Sequence, residues 1–244
     1  MQRYFVDPKL FSEDKVIIIG EDAHHITKVL RCNIGDKIIC CNNGGLDVIT
    51  EIIYMSFERV ETKIISIIKQ DREPLVKITL AQALPKSDKM DFIIQKGTEI
   101  GVTTFLPFNS ERTIVQLNQQ KEQKKIGRWE KIAKEAAEQS HRSRIPNILP
   151  IVNYKELIGN FKNRIVLIAY EREVTTTLFK AIENMSELKE ILLIIGPEGG
   201  FSDQEVELAS KNGAISISLG RRILRAETAG LVGVANILYH YEKS

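Results

Sequence analysis

Three charged residues late in the chain have the types and spacing for acid–base chemistry. Arg225 and Glu227 sit two apart in the stretch Leu-Gly-Arg-Arg-Ile-Leu-Arg-Ala-Glu-Thr-Ala at 219–229, and Glu198 lies in Ile-Gly-Pro-Glu-Gly-Gly-Phe-Ser at 195–202. A carboxylate within hydrogen-bond reach of a substrate can take its proton, and an arginine can stabilise the anion that results. The other reading of Arg225 and Glu227 is a structural pair that closes its own loop. Glu198 would repel a phosphate and attract a cation such as a sulfonium or an ammonium. It has a structural alternative as a cap for the helix that starts near Ser202, although Ser202 and Glu205 already have capping-box spacing. Gly196, Gly199 and Gly200 would let backbone approach a ligand closely, because no Cβ intervenes, or would simply make turns.

These loops need strands and helices to hold them. Each follows a short apolar run (191–195 and 215–219) and leads into a helical pattern. Two adjacent strand–loop–helix units of this kind place a ligand site at the C-terminal ends of parallel strands. Upstream, the pattern predicts a strand at 76–83 and a helix opened by Lys86-Ser87-Asp88. Ser87 would cap that helix, with Met90, Ile93, Ile94 and Gly97 on its buried side and Gly101 closing it. Further strands are expected at 103–108 and 165–169. Helices are expected at 128–140, with Ile132, Ala133, Ala136 and Ala137 inward and Glu130 and Lys134 outside, and at 177–185. Alternating strands and helices make an α/β fold with a mainly parallel sheet covered on both faces. The first 70 residues differ. Apolar runs at 16–19, 37–41, 46–54 and 62–68, separated by turn clusters, predict a small β-barrel with one helical insertion at 21–30. The charged stretch 69–74 ends in Pro74 and reads as a linker between domains at 1–70 and 74–244.

Composition narrows the functional classes. The 244 residues are 43% hydrophobic and 27% charged, ordinary for a globular chain that needs no staples. Cys32, Cys40 and Cys41 lack the paired spacing of a metal or redox site, so no metal is expected and the thiols read as small hydrophobes in a reducing compartment. No run approaches the roughly 18 apolar residues of a membrane span, and the opening residues carry no export signal, which predicts a cytoplasmic protein without a membrane partner. Net charge is only +2, but residues 121–144 carry eight Lys and Arg against four Glu. With Arg112 before that stretch and Arg221, Arg222 and Arg225 crowding the second loop, the distribution hints at a phosphate-bearing substrate. The loops match neither a P-loop nor a dinucleotide fingerprint.

Together the two loops, Gly-Pro-Glu-Gly-Gly at 196–200 and Leu-Gly with Ile-Leu-Arg-Ala-Glu-Thr-Ala at 219–229, resemble the RsmE family. These are ribosomal RNA methyltransferases of the SPOUT superfamily that methylate N3 of a uridine in small-subunit rRNA. The resemblance runs along the whole chain: Arg3-Tyr4-Phe5, His24, Val29-Leu30-Arg31, Gly35-Asp36, Gln95-Lys96, Glu99-Ile100-Gly101, Glu111-Arg112, Arg128-Trp129, Glu138-Gln139-Ser140 and Arg142. One small departure is Ala226, where threonine is also common. The resemblance implies a SPOUT-type C-terminal domain threaded into a trefoil knot, an exception to the rule that chains avoid knots. It also implies a PUA-like N-terminal barrel that binds RNA, a homodimer, and S-adenosylmethionine as cofactor. Ala169, Gly196, Gly199, Gly200, Leu219, Gly220 and Leu224 then map to the cofactor loops, with Arg225 and Glu227 as catalytic residues and Glu198 as the competing base.

Uridine N3 is protonated and poorly nucleophilic at neutral pH, so its proton must leave and charge on the flanking carbonyls must be stabilised. N3 lies on the pairing edge, so the target is unpaired or flipped out. Arg3, Lys28 and Arg31 on the small domain, and Arg112, Arg128, Arg142 and Arg144 beyond it, are candidate contacts to 16S rRNA in the small subunit, with Arg112 also a competing anion donor. Tyr4, Phe5 and Trp129 read as packing, and His25 as a turn residue. Two alternatives stand beside this reading: an RNA-binding protein that keeps the pocket without catalysis, and a SPOUT methyltransferase acting on tRNA.

Overall fold

A computed structural model describes residues 1–69, 72–113, 119–159, 161, 164–183 and 190–242. Two compact units emerge: residues 1–73 with 137–145, and residues 74–136 with 146–244. Residues 70 and 71 of the expected linker lie outside the described residues.

The first unit contains β1 (Arg3–Phe5), β2 (Lys15–Ile19), α1 (Gly20–His24) continuing as a π-helical turn over His25–Val29, β3 (Lys37–Cys41), β4 (Asp47–Met55) and β5 (Arg59–Ile68). They form a curled five-stranded sheet in the order β1-β3-β4-β5-β2. The run Ile-Ile-Cys-Cys of β3 is apolar without alternation because both of its faces are covered. Ile38 and Cys40 pack with Tyr4, Val16, Ile18, Val48 and Ile52, whereas Ile39 and Cys41 pack with Phe5, Ala137 and Ile145. That second face explains why residues 137–145 belong with the first unit, which corrects the expected simple division at the linker. Burial pushes the Cys40 thiol up to about 11, so it behaves as a hydrophobe. The Tyr4 hydroxyl meets His25 Nδ1 at 3.0 Å, so His25 is a packing partner rather than a turn residue.

The same face holds two buried arginines. Arg3 Nη1 donates to Asp47 Oδ2 at 2.7 Å and to the Arg142 carbonyl at 2.9 Å. Ser143 Oγ donates to the same Asp47 oxygen at 2.6 Å, and Arg142 Nη2 reaches Glu73 Oε2 at 2.6 Å. Arg3 and Arg142 are 3% and 4% exposed. Charges taken out of water need such partners.

The second unit runs β6 (Lys77–Ala83), α2 (Lys89–Ile100), β7 (Thr104–Asn109), α3 (Gln119–Gln139), β8 (Asn147–Ile148), β9 (Val152–Asn153), α4 (Tyr154–Gly159), β10 (Ile165–Ala169), α5 (Leu178–Ile182), β11 (Glu190–Ile195), α6 (Asp203–Lys211), β12 (Ile215–Ile217) and α7 (Ala226–Tyr241). Its sheet has the order β12-β10-β11-β6-β7-β8, with β9 also on β7, and every pairing is parallel. The central strands are continuous Ile, Leu and Val runs, as expected where helices cover both faces. Because β10 lies between β11 and β12, the loops after β10, β11 and β12 emerge side by side.

Two local expectations change. Helix α3 starts before the expected residue 128, because its first turns are polar and show no apolar period. Ser87 does not cap α2. It takes φ +59, Asp88 stands at the cap without a side-chain bond, and the Lys86 N–H is used elsewhere. Gly101 does close α2, at φ +124, with its N–H on the Gly97 and Thr98 carbonyls. Of the helix expected at 177–185, residues 184 and 185 lie outside the described residues.

Candidate active site

The ends of β10, β11 and β12 surround a cavity of about 600 Å³, within the range of small-molecule sites. The β10 loop is tied to β12 by Tyr170 N–H on the Ile217 carbonyl at 3.0 Å and by Ser218 N–H on the Thr176 carbonyl at 2.8 Å. It is tied to α6 by Tyr170 and Arg172, which both donate to Asp203. Within the loop, Glu173 accepts from the Thr175 hydroxyl and from the Thr175 and Thr176 N–H groups, and these bonds lower its pKa to about 2. The capping box at the start of α6 is present in both directions: Ser202 Oγ accepts from Glu205 N, and Glu205 Oε2 accepts from Ser202 N. The floor is therefore pre-formed.

Ala169, Gly196, Gly199, Gly200, Leu219, Gly220 and Leu224 all line the cavity. Gly200 has φ +69, and a Cβ there would stand 2.6 Å from Glu171 Oε1. A Cβ on Gly196 would press on the Phe201 ring at 3.0 Å. Side chains are excluded from this wall by geometry, which leaves backbone facing the cavity. Opposite it, Leu219, Ile223, Leu224 and Ala229 offer apolar surface. Apolar walls, a glycine cradle and the carboxylates of Glu171 and Glu198 suit a nucleoside joined to a cationic group.

The two candidate carboxylates meet on a residue that sequence reasoning missed. Lys89 Nζ, at the first position of α2, lies 3.3 Å from Glu198 Oε1 and 3.3 Å from Glu227 Oε2. Burial works against a charged Lys89, but its bonds to the two carboxylates outweigh it and raise its pKa. Glu198 also accepts the Lys86 N–H at 3.1 Å, so it anchors the β6–α2 turn and does not cap α6. Burial raises the Glu198 pKa, but backbone N–H groups of its own residue and of Lys86, together with Lys89, outweigh that and hold the carboxyl below its ordinary value. One signal could have found Lys89: Lys86-Ser87-Asp88-Lys89 follows a buried strand on the same sheet edge as the glycine loops.

Arg225 and Glu227 do not pair. Arg225 stands at the N-cap of α7 in extended conformation, exposed and lining the cavity, and makes no ion pair among the described residues. Arg221 and Arg222 line the same rim. Arg112 is committed elsewhere, its Nη1 donating to the Gly199 carbonyl at 2.8 Å. The neighbouring Glu111 accepts from Ser202 Oγ and donates its N–H to Glu205. The 111–112 turn is thus a latch on the glycine loop.

The expected RNA contacts divide. Arg3 and Arg142 are corrected: both guanidiniums are buried and ion-paired, so neither presents charge to a phosphate. Lys28 and Arg31 are exposed, with the Lys28 ammonium 4.2 Å from the centre of the Phe57 ring. Arg128 is 60% exposed and pairs with Asp91, which also accepts from buried Trp129. Among the described residues, no three His, Cys, Asp or Glu side chains gather as metal ligands, and no helix is long and apolar enough to cross a membrane.

Comparison with known proteins agrees with this geometry. Residues 71–238 match an RNA methyltransferase domain and residues 18–65 an RNA methyltransferase PUA domain. The ribosomal RNA small subunit methyltransferase E of Bacillus subtilis is 38% identical across 99% of this chain and 98% of that protein. Its namesake from Mesomycoplasma hyopneumoniae is 37% identical across 95% of this chain and 96% of that protein. A solved structure of the enzyme from Neisseria gonorrhoeae bound to S-adenosyl methionine shares 31% identity and a TM-score of 0.88, covering 97% of this chain and 96% of that one.

Proposed function

The chain belongs to the ribosomal RNA small subunit methyltransferase E family, and from that premise we propose that it methylates N3 of an unpaired uridine in 16S rRNA, using S-adenosylmethionine. The observation that carries the reading is the cavity itself: three parallel-strand loops enclose a nucleoside-sized space with Glu198 and an unpaired arginine, Arg225, at its wall, and with Lys89 linking Glu198 to Glu227.

The cofactor supplies an electrophilic methyl group on a sulfonium. Gly196, Gly199, Gly200 and Ala169 would hold its ribose and methionine parts through backbone, and Leu219, Gly220 and Leu224 would flank its adenine. Glu227 takes the N3 proton, and Arg225 stabilises the negative charge that spreads onto the uridine carbonyl oxygens. Arg112 is the weaker donor because its guanidinium already serves Gly199. Glu198 is the weaker base because several donors hold its charged form. Positioning N3 in line with the methyl group contributes beside the acid–base step. Lys28, Arg31, Arg128 and Arg144 are the remaining phosphate contacts. The reading includes a knotted second unit, a homodimer, and action in the cytoplasm on the assembled small subunit.

The test is transfer of labelled methyl from S-adenosylmethionine to isolated small subunits and to tRNA, followed by nucleoside mapping. The expected result is 3-methyluridine in small-subunit rRNA alone. Label in tRNA would move the substrate, and cofactor binding without transfer to either would favour the silent RNA-binding alternative.

A further inference from the structure

Lys89 occupies a position that helix electrostatics disfavours. It is the first residue of α2, where the helix dipole prefers acids to cations. The ammonium is held there by two carboxylates from segments 109 and 138 residues away in sequence. It touches one oxygen of each, Glu198 Oε1 and Glu227 Oε2. The other Glu227 oxygen makes no hydrogen bond among the described residues. That free oxygen is open to a further donor.

We propose that Lys89 is a positioning residue for methyl transfer: one ammonium from the β6–α2 turn holds Glu227 beside Glu198, which lines the cavity, and sets a positive charge between the two carboxylates. This rests on the reading of Glu227 as the base. Two carboxylates that share a site without a counter-charge titrate as a pair, and the first proton they bind is held to higher pH. The other charged groups lining the cavity are Glu171, Arg221, Arg222 and Arg225, and none of them bonds to either carboxylate. Lys89 is thus the cation that the pair depends on.

The experiment compares the wild type with Lys89→Met and Lys89→Arg in two readouts. Single-turnover methyl transfer to small subunits, recorded against pH, should show the acid limb of Lys89→Met displaced upward by about one unit or more, with about a tenfold loss on that limb and little loss at neutral pH. Lys89→Arg, which keeps the charge, should retain the wild-type limb. Carboxyl-labelled glutamate NMR on the protein without RNA should show the same upward displacement for the two carboxyls in Lys89→Met only. A Lys89→Met profile that is merely scaled, with unmoved carboxyl titrations, would overturn the proposal. So would a Lys89→Arg profile displaced as far as that of Lys89→Met. If the wild type transfers no methyl but the carboxyls titrate as expected, the assigned reaction fails while the arrangement of Lys89 stands.

Discussion

Two groups of arginines, one in each unit, teach opposite lessons from the same side chain. Arg3 and Arg142 are sealed inside the first unit, each bonded to a carboxylate, with Ser143 adding a further bond to Asp47. Arg221, Arg222 and Arg225 stand at the cavity rim of the second unit, exposed, with no ion pair among the described residues. A buried guanidinium without partners is too costly to persist, so the first group is ion-paired and structural, although Arg3 Nε and Asp47 Oδ1 have no hydrogen-bond partner among the described residues. An exposed one costs little to leave unpaired, so the second group is free to meet charge that a ligand brings. Ion-paired buried charge marks architecture here, and unpaired charge beside a cavity marks chemistry.

Substitutions can break that contrast, and the largest effect should come from the buried side. Arg3→Ala leaves Asp47 charged and partly unpaired in the interior, and should cost the first unit about 3–5 kcal/mol in urea unfolding. A loss below 1 kcal/mol would mean that the network is not what holds β1 against residues 137–145. Next comes Arg225→Ala, which should leave stability within about 0.5 kcal/mol. Its single-turnover methyl transfer should slow about a hundredfold, the scale of one lost donor to a developing anion. If it unfolds the protein instead, the contrast between the two groups collapses.

Smaller effects sharpen the picture of the cavity. Gly200→Val demands a left-handed backbone of a branched residue and drives its Cβ toward Glu171. The loop must shift to relieve one to three kcal/mol of strain, so calorimetry should show cofactor affinity down by about ten- to a hundredfold. Unchanged affinity would remove the glycine loop from the site. The smallest effect belongs to Glu173, whose carboxyl is held at about 2, chiefly by the Thr175 hydroxyl and N–H groups. A depressed carboxylate stabilises the fold above its ordinary pKa, and that contribution is lost as pH falls through 2. Glu173→Gln should therefore cost less than about 1 kcal/mol at pH 6, with the gap to wild type narrowing toward pH 2 in denaturant titrations. A constant gap would show that the turn does not depend on charge.

Much of the second unit was legible in order. Strands β6, β7, β10 and β11 are apolar runs of strand length bounded by polar turns, and the glycine loops follow two of the strands that flank the cavity. The Ser202–Glu205 capping box is a local pattern whose partners lie three residues apart, so it needed no tertiary knowledge. Helix α3 was only half legible because its first turns carry Lys, Gln and Glu with no apolar stripe. Ser87 was misread as a cap because the turn holds it at φ +59 and the helix begins one residue later, with Asp88 at the cap.

The chain by itself determined its elements, its two-part grammar and the loops that carry the chemistry, because these depend on residues close in sequence: periodicity, turn residues, glycine spacing. Only the tertiary structure decided which charges are spent. Arg3 and Lys28 look alike as basic residues of the first unit, yet one is buried on Asp47 and the other is exposed over Phe57. Arg225 and Glu227 are near neighbours in sequence, yet Glu227 turns to Lys89. A charge takes its partner from whatever the fold brings within a few ångströms, and the folded chain brings together residues more than a hundred positions apart.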